Sequence, residues 1–273
     1  MSLRDAVLAE TDEWRISDIL CTSGPQDKPF EEAHEDVSIS LIAAGTFEYR
    51  TVSGEAVMYP GAYLLGNAGQ AFECGHRHGI GDRCRAVHVS PRLFEEIAFS
   101  VTGSSRFKFD LPALPALKQL SAHSAMLQSV SATAHAVALA GEVYSLVETA
   151  IRTASPQSAG LKRLSALDAR RISHVLRHIE ADATANLELD TLAAVARMSK
   201  FHFLRTFRRV TGATPHQYVL GLRLRRAALA LLRSDEPVLR VVLDAGFDDV
   251  STFNRYFRQT FKMTPTRYRL NGV

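Results

Sequence analysis

The sequence contains few cysteines and no long apolar segment. Three cysteines, Cys21, Cys74 and Cys84, occur among 273 residues, which excludes the disulfide framework of a small secreted protein and fits a reducing compartment. No apolar run approaches the roughly 20 residues that span a membrane, and the N-terminus lacks the pattern of a signal peptide. We therefore expect a soluble, cytoplasmic protein that has no membrane partner.

The net charge is small overall but unevenly distributed along the chain. The formal charge is +3. Residues 166–273 carry 18 Lys+Arg against 10 Asp+Glu, whereas residues 1–165 carry 14 against 19. The front of the chain is therefore acidic and the back is basic. Because phosphate neutralisation dominates sequence-independent binding to nucleic acids, this asymmetry indicates that the basic back contacts them.

The basic part contains one helical pattern twice, in residues 203–218 and 253–268. In each copy two phenylalanines four positions apart share one helix face, while the arginine between them, Arg205 or Arg255, projects from another face. The pattern predicts that one face packs and the other reads DNA. A helical repeat or bundle is the alternative, because phenylalanines at this spacing are more often core residues, but the basic charge argues against it.

A short helix is predicted before each copy, over Asp190–Ala196 and Pro237–Ala245, which gives two helix-turn-helix units. In the second unit Gly246 can adopt a positive φ at the turn, whereas Arg197 occupies the same place in the first unit. The first turn must therefore tolerate a less favoured backbone.

The segment between the two units predicts a rigid helical spacer. Thr214 can cap a helix that starts at Pro215, and apolar residues then recur at helical spacing up to Ser234. About 18 residues at roughly 1.5 Å each give about 27 Å. This length suits two reading helices in successive major-groove faces, which lie roughly 34 Å apart.

Residues 170–270 carry a set of motifs in a fixed order. The motifs are Met198-Ser199, Arg205-x-Phe207, Gly212, Tyr218, Arg223-Leu224, Ala245-Gly246-Phe247, Phe253-x-Arg255-x-Phe257 and Pro265-x-x-Tyr268-Arg269. With them the chain resembles the AraC/XylS-type transcriptional regulators. It departs from their pattern at Arg197, where glycine is usual, and at Val242, where a small alanine is usual. The resemblance implies binding to double-stranded DNA, mostly activation, and RNA polymerase as a further partner.

The candidate DNA-contacting residues lie on the outer faces of the two reading helices. The resemblance places base contacts at Phe201, Leu204, Arg205, Ser251, Thr252, Asn254 and Arg255, and the facing of the first helix adds Lys200 and Arg208. An arginine can form a fork on a guanine edge, whereas apolar side chains meet only thymine methyl groups. For any single arginine a phosphate contact or a surface ion pair is the competing interpretation.

The acidic N-terminal part of the chain has the residue pattern of short strands separated by glycine turns. The predicted strands are Val37–Ile42, Phe47–Thr51, Ala56–Tyr59, Ala62–Leu65, Gln70–Cys74 and Cys84–Ser90. Such strands favour a β-sandwich or barrel, and sensor domains of the resembled family are often cupin-like barrels. We therefore expect a multidomain α+β chain: an N-terminal cupin-like antiparallel β-barrel with packed helices, and a C-terminal all-α domain with two helix-turn-helix units joined by a long helix.

Two further helical regions follow the predicted strands. Pro91–Phe99 can form one short helix, and apolar residues recur at helix-like intervals over Ala122–Thr153, where Gly141 is a candidate interruption. In the resembled family such helices form the dimer interface, which implies a homodimer, although packing within one domain explains the pattern equally well. Residues 155–160 have linker composition. The expected organisation is a sensor and dimerisation domain over 1–153, a linker over 154–165 and a DNA-binding domain over 166–273.

Residues 74–84 form a glycine-rich stretch with possible metal ligands. Cys74, His76, His78 and Cys84 could supply a tetrahedral set of nitrogen and sulfur ligands for zinc. The alternative is that the two thiols are buried strand-end residues and the histidines are solvated. His34 is a candidate interior histidine, to which no role is assigned.

The sequence thus predicts a sequence-specific transcriptional regulator, an activator, controlled by a small-molecule effector of unknown identity or by a metal in the N-terminal domain. One alternative is a metal-dependent cupin-type enzyme with an accessory helical module, although the front half lacks a carboxylate and histidine array at catalytic spacing. Another is a constitutive DNA-binding protein whose barrel serves only dimerisation.

Overall fold

The computed structural model describes residues 3–76, 81–155, 165–185 and 187–270. The chain divides into two compact units. The first comprises Met1–Pro115 and Val130–Ser173, and the second comprises Ala116–Ser129 and His174–Val273. Within the described ranges no helix combines the length and apolar character needed to cross a membrane.

In the described part of the first unit, ten strands form two antiparallel sheets. In chain order they are β1 (Leu3–Glu10), β2 (Trp14–Cys21), β3 (Phe30–Ala33), β4 (Val37–Gly45), β5 (Phe47–Thr51), β6 (Gly54–Met58), β7 (Tyr63–Gly66), β8 (Ala71–Gly75), β9 (Asp82–Val89) and β10 (Ala113–Leu114). The first sheet has the order β1-β2-β9-β4-β7-β10 and the second β3-β8-β5-β6. The predicted antiparallel strands are confirmed to within a few residues, whereas β1, β2, β3 and β10 were not predicted.

The inner faces of the two sheets form the core of the first unit. The alternating strand pattern turns Tyr49 of β5 inward, where its hydroxyl donates to the Leu65 carbonyl of β7 at 3.1 Å. Strand β4 lies between β9 and β7 in the larger sheet. Its residues Val37–Ile42 are all buried. This arrangement aims side chains from both sheets into one interior.

Among the described residues, two helices lie wholly within the first unit, which also contains the first half of a third helix, Ala166–Ala181. Helix α1 spans Pro91–Thr102, and its capping residue Ser90 accepts a hydrogen bond from the Leu93 amide at 3.2 Å. Helix α3 spans Ala136–Ala154. The expectation that Gly141 interrupts this region is wrong, since Gly141 lies inside α3, where a Cβ added to it would have nothing within 4 Å. A glycine in a helix costs about 1 kcal/mol relative to alanine, which packing of the neighbouring turns can offset.

The second unit is helical. Its elements are α2 (Ser121–Ser129), α4 (Ala166–Ala181), α5 (Leu189–Val195), α6 (Lys200–Thr211), α7 (Pro215–Arg233), α8 (Val238–Asp244), α9 (Val250–Phe261) and α10 (Pro265–Leu270). The division between the units falls within α4. The predicted short helices, reading helices and spacer are confirmed. Thr214 caps α7 through a reciprocal pair of hydrogen bonds with Gln217, at 3.3 and 3.0 Å.

Helix α2 is a component of the second unit that the sequence assigned to the first. Ala125 of α2 is fully buried in the core cluster that contains Leu224 and Leu231 of α7 and Phe257 of α9. The compact units therefore divide the chain differently from the predicted bounds of 1–153 and 166–273. The reason is that α2 has a small apolar face that α7 covers.

Candidate functional site

The first helix-turn-helix unit consists of α5, a turn and α6. Phe203 and Phe207 are completely buried, and the Phe207 ring meets Tyr218 of α7 edge to face at 5.7 Å. These contacts fix the inner face of α6 against α7. At the turn Arg197 has a φ of 50°, so the less favoured backbone predicted there is confirmed.

The second unit repeats this construction with α8 and α9. Phe253 and Phe257 are completely buried, and Phe257 packs against both Phe261 and Tyr268 at ring distances of 4.5 and 5.3 Å. The turn residue Gly246 has a φ of 83°. The duplicated sequence pattern therefore produces two helices with the same buried face.

The opposite face of α6 is turned to solvent. Phe201 is 88% exposed, which is unusual for a large apolar side chain and leaves its ring available to a partner. Arg205 and Arg208 are exposed and Leu204 is half-buried. The Lys200 ammonium lies 2.6 Å from the Asp190 carboxylate of α5, an exposed ion pair that a phosphate could replace at little cost.

The corresponding face of α9 is more polar. Ser251 and Arg255 are exposed, while Thr252 and Asn254 are half-buried. The Arg255 guanidinium lies 4.9 Å from the centre of the Tyr256 ring, which holds the side chain on the surface of the helix. Asp249 caps α9 by accepting from the Thr252 amide at 2.7 Å. The outer faces of α6 and α9 thus both present hydrogen-bonding or cationic groups, and buried phenylalanines on the opposite faces hold the two helices in position.

Arg223 of α7 links several loops of this unit. Its guanidinium donates to the carbonyls of Ala183 at 2.6 Å, Gly246 at 2.7 Å and Ala185 at 2.9 Å. One side chain therefore holds the turn of the second unit and the segment that follows α4. Sequence analysis placed Arg223 only within a motif, because its partners are main-chain carbonyls that no residue pattern indicates.

The first compact unit of the chain, which contains the two β-sheets, holds a cavity of about 510 Å³ between them. Side chains from both sheets line it, including those of the three cysteines. The lining residues with titratable or thiol groups are Asp5, Arg15, Cys21, Glu32, His34, Glu35, Asp36, Cys74, His76, Asp82, Cys84 and His88. The volume is that of a small-molecule site.

A buried cluster of ligand-type groups lies on the cavity wall. Atoms of Cys21, His76 and Asp82 all lie within 4.8 Å of one another, and the His76 Nε2 is 2.5 Å from Asp82 Oδ2. Of the four predicted zinc ligands, the structure places His76 in this cluster and lines the same cavity with Cys74 and Cys84. His78 lies outside the described residues. His76 is buried, which the alternative of solvated histidines did not expect.

Cys21 and Asp82 belong to this cluster but were not among the predicted ligands. Cys21 ends β2 and stands directly opposite Asp82 of β9 in the sheet register. The available signal was the alternation of Asp82 and Cys84, which puts both on one face of a strand. Because β2 was not predicted, no pattern indicated that Cys21 lies beside Asp82.

The protonation of the cluster reflects burial and mutual hydrogen bonding. Burial alone would lower the pKa of His76, but hydrogen bonds with Asp82 and Cys21 raise that pKa to about 9. Burial alone would raise the pKa of the Cys21 thiol, but the hydrogen bond with His76 brings it below its usual value. Burial raises the pKa of the Cys74 and Cys84 thiols well above the ordinary range. The imidazole and the Asp82 carboxylate therefore form a buried ion pair.

His34 occupies another part of the cavity wall. Its Nε2 lies 2.7 Å from the Tyr49 hydroxyl, and its ring stacks on Phe72 with a centre distance of 4.3 Å. Gly66 makes room for it, because a Cβ at that position would lie 2.2 Å from His34 Nε2. Burial lowers the pKa of His34 to about 4, so the imidazole is neutral at pH 7.

Comparison with known proteins identifies relatives of the helical part of the chain. A family profile described as "Helix-turn-helix domain" matches residues 192–271. The Transposon Tn10 TetD protein of Escherichia coli is 38% identical over 102 residues, which cover 37% of this chain and 74% of that protein. The MmsAB operon regulatory protein of Pseudomonas aeruginosa is 41% identical over 85 residues, which cover 31% of this chain.

The match to the MmsAB operon regulatory protein covers only 28% of the length of that relative. Among solved structures, the DNA-binding domain of AdpA in complex with a target DNA is 30% identical and has a TM-score of 0.36. That similarity covers 37% of this chain and 91% of the AdpA chain. The residues matched by the family profile, 192–271, contain α6 to α10.

Proposed function

Since the chain belongs to the AraC/XylS-type family of transcriptional regulators, we propose that it binds specific double-stranded DNA and regulates transcription in the cytoplasm. The supporting observation is the duplicated exposed face on α6 and α9. Each face lies on a helix whose opposite side is locked by two buried phenylalanines. A rigid helix with a cationic or polar outer face is the element that enters a major groove.

Helix α7 supports the proposal that both units contact one duplex. It has 19 residues, which at about 1.5 Å each give about 28 Å. A connector of that length keeps two reading helices close to the roughly 34 Å separation of successive major-groove faces. We assign the base and phosphate contacts to Lys200, Phe201, Leu204, Arg205, Arg208, Ser251, Thr252, Asn254 and Arg255.

The test is selection of bound sites from random duplex DNA with the full chain, followed by affinity measurements on single variants. Arg205→Ala and Arg255→Ala should each weaken specific binding by about 1–3 kcal/mol, because each removes one fork to a base edge. Arg152→Ala is the matched control, since Arg152 is exposed, lies on α3 and pairs with Glu148 of the same helix. Unchanged affinity in both reading-helix variants would overturn the assignment of the groove contacts.

We further propose that the first unit is a cupin-like sensor that binds an effector. The support is its two antiparallel sheets and the cavity of about 510 Å³ between them. An effector can change DNA binding only through different affinities for two conformations or assemblies. Footprinting with and without fractionated small molecules and metals tests this idea. A footprint that responds to none of them would favour constitutive binding, and the absence of any footprint would favour the enzyme alternative.

The family also supports homodimerisation and activation through RNA polymerase. The apolar side chains Phe99, Val137 and Tyr144 are exposed on α1 and α3, and such side chains commonly become buried at subunit interfaces. Sedimentation analysis should give twice the mass of the chain, and a monomer at micromolar concentration would contradict the dimer. Reporter transcription with the selected site should rise when the protein is present, whereas a fall would indicate repression.

A further inference from the structure

One end of the cavity in the first unit collects thiol, imidazole and carboxylate groups from both sheets. Cys21, His76 and Asp82 are buried, and their ligand atoms lie within 4.8 Å of one another. The Cys84 sulfur lies 3.2 Å from Asp82 Oδ1. We propose that Cys21, His76, Asp82 and Cys84 bind one divalent metal ion of the zinc class.

The strand register explains why these four side chains converge. Cys21 stands opposite Asp82 in the pairing of β2 with β9. Asp82 and Cys84 are two residues apart on β9 and therefore point to the same face. His76 follows β8 of the other sheet, where its ring stacks on Phe47 at 5.5 Å. The ligands thus come from both sheets, and a bound ion would connect them.

The distances require only small movements to accept an ion. Zinc bonds of about 2.3 Å to sulfur and about 2.0–2.1 Å to nitrogen or oxygen place neighbouring tetrahedral ligand atoms roughly 3.3–3.8 Å apart. The ligand atoms of Cys21, His76 and Asp82 already lie within 4.8 Å of one another, and the Cys84 sulfur adjoins this group through its contact with Asp82. The His76 and Asp82 atoms, now 2.5 Å apart, need to separate by about 1 Å on this geometry. Side-chain rotations of this size leave the strands in place.

The chemistry of the ligands selects the class of metal. Two thiolates with an imidazole and a carboxylate form a borderline-soft set that favours zinc over magnesium or calcium, which prefer oxygen ligands. The two thiols and the protonated His76 imidazole must each lose a proton when the ion binds, and the ion itself provides the charge that stabilises the thiolates. Binding should therefore release protons.

The carboxylates that line the cavity attract cations to it. Its lining includes the exposed side chains of Asp5, Glu32 and Glu35 at the surface, together with Asp36, whereas Arg15 is the basic residue among them. An excess of carboxylates around a partly enclosed cavity raises the local concentration of cations. The cluster thus shares its cavity wall with several carboxylates.

The experiment is zinc binding to the full chain after removal of metal with a chelator. We expect one zinc ion per chain, measured by competition with a chromophoric chelator and by elemental analysis, and a rise in the unfolding temperature with zinc concentration. Cobalt substitution should give the absorption of a tetrahedral site with charge transfer from two thiolates.

Single variants test the ligand set. Cys21→Ser and His76→Ala should each weaken zinc binding by at least about 100-fold, because each removes a ligand. Cys84→Ser should reduce the thiolate absorption of the cobalt form by about half, since one of two thiolates remains. Cys74→Ser is the matched control, because Cys74 is a buried thiol on the same cavity wall but is outside the proposed set. Circular dichroism establishes that each variant is folded.

Two outcomes would overturn the site. If folded wild-type protein retains no zinc at micromolar concentration, the cluster is a metal-free ion pair of His76 and Asp82 with neighbouring thiols. If zinc remains bound at full stoichiometry in Cys21→Ser and His76→Ala, the ion is held elsewhere. Both readouts are independent of DNA, so failure of the metal site leaves the DNA-binding proposal untouched, and failure of DNA binding leaves the metal site testable.

Discussion

The two helix-turn-helix units share a fold but satisfy its backbone requirements in opposite ways. The turn before the reading helix needs a positive φ in both units, and it is occupied by Arg197 at 50° in the first and by Gly246 at 83° in the second. The residue after the reading helix shows the reverse, since it is Gly212 at 69° in the first and Lys262 at 61° in the second. Each unit therefore contains one glycine and one strained residue.

This exchange shows that packing, rather than the turn residue, determines the shape of each unit. A non-glycine residue in the left-handed region costs roughly 1–2 kcal/mol. Burying two phenylalanines stabilises the unit by more than that, since each contributes about 1.5–3 kcal/mol. Strain at one turn is thus tolerated as long as the aromatic pair is complete.

The largest expected effect on stability comes from removing a buried phenylalanine, the feature that both helix-turn-helix units share. Phe207→Ala and Phe257→Ala should each lower the free energy of unfolding by about 3–5 kcal/mol, because both rings are completely buried. Chemical denaturation monitored by circular dichroism measures the loss. Phe201→Ala is the control within the same helix, because Phe201 is 88% exposed and its loss should leave stability nearly unchanged. A large difference between the two core variants would show that the units are not equivalent in packing.

The helical unit could be predicted well from the sequence because its signals are local. Spacing of phenylalanines, the Thr214 cap and the proline that follows it act within one or two helical turns. The strain at Arg197 was also predictable, since the second copy provides a glycine at the matching position. The packing of α2 into this unit was not predictable, because Ala125 touches α7 across about 100 positions of chain and carries no distinctive pattern.

The cavity cluster of the first unit was predicted only in part. Cys74 and Cys84 were predicted as metal ligands because they are thiols that flank two histidines. In the structure the group that contains His76 also includes Cys21 and Asp82. This group assembles because β2 pairs with β9, which places Cys21 opposite Asp82, a residue 61 positions later in the chain. Register between strands so far apart in the chain is set by the whole sheet, so a motif in one loop cannot indicate it.

The next largest effect concerns the glycine of the second turn. Gly246→Ala should lower the free energy of unfolding by about 1–3 kcal/mol, because the new Cβ would lie 3.0 Å from the Thr184 Cα and 3.2 Å from the Arg223 Nε. Gly103→Ala is the matched control, since Gly103 has a φ of 77° with nothing within 4 Å of a Cβ. Thermal unfolding of both variants separates the steric cost from the backbone cost. Equal losses would mean that the approach of Arg223 does not constrain the turn.

A smaller effect of opposite sign should follow from removing the strain. Arg197→Gly and Lys262→Gly should each raise the free energy of unfolding by about 0.5–1 kcal/mol, because relief of the left-handed strain exceeds the flexibility that glycine adds to the unfolded chain. Denaturant titrations with an unchanged slope measure the gain. Arg208→Gly, inside α6, is the control and should be destabilising. A loss of stability in both turn variants would show that the arginine and lysine make contacts that outweigh their strain.

The smallest expected effect concerns the two caps, which differ in charge. Ser199 accepts from the His202 amide at 3.4 Å, whereas Asp249 accepts from the Thr252 amide at 2.7 Å. The hydrogen bond with the Thr252 main chain holds the pKa of Asp249 below its ordinary 3.8. The folded pKa is the lower one, so this stabilisation is present above pH 3.8 and is lost as the pH falls through the folded value.

Asp249→Ser should therefore lower the unfolding temperature at pH 7 and have a smaller effect once the wild-type carboxyl is protonated. Ser199→Asp is the reciprocal variant, and it should raise the unfolding temperature at pH 7 but not in acid. Thermal melts at pH 7 and at a pH well below 3.8 compare the two. If Asp249→Ser lowers the unfolding temperature equally at both pH values, the carboxylate charge contributes nothing, and the two caps are equivalent hydrogen bonds despite their different residues.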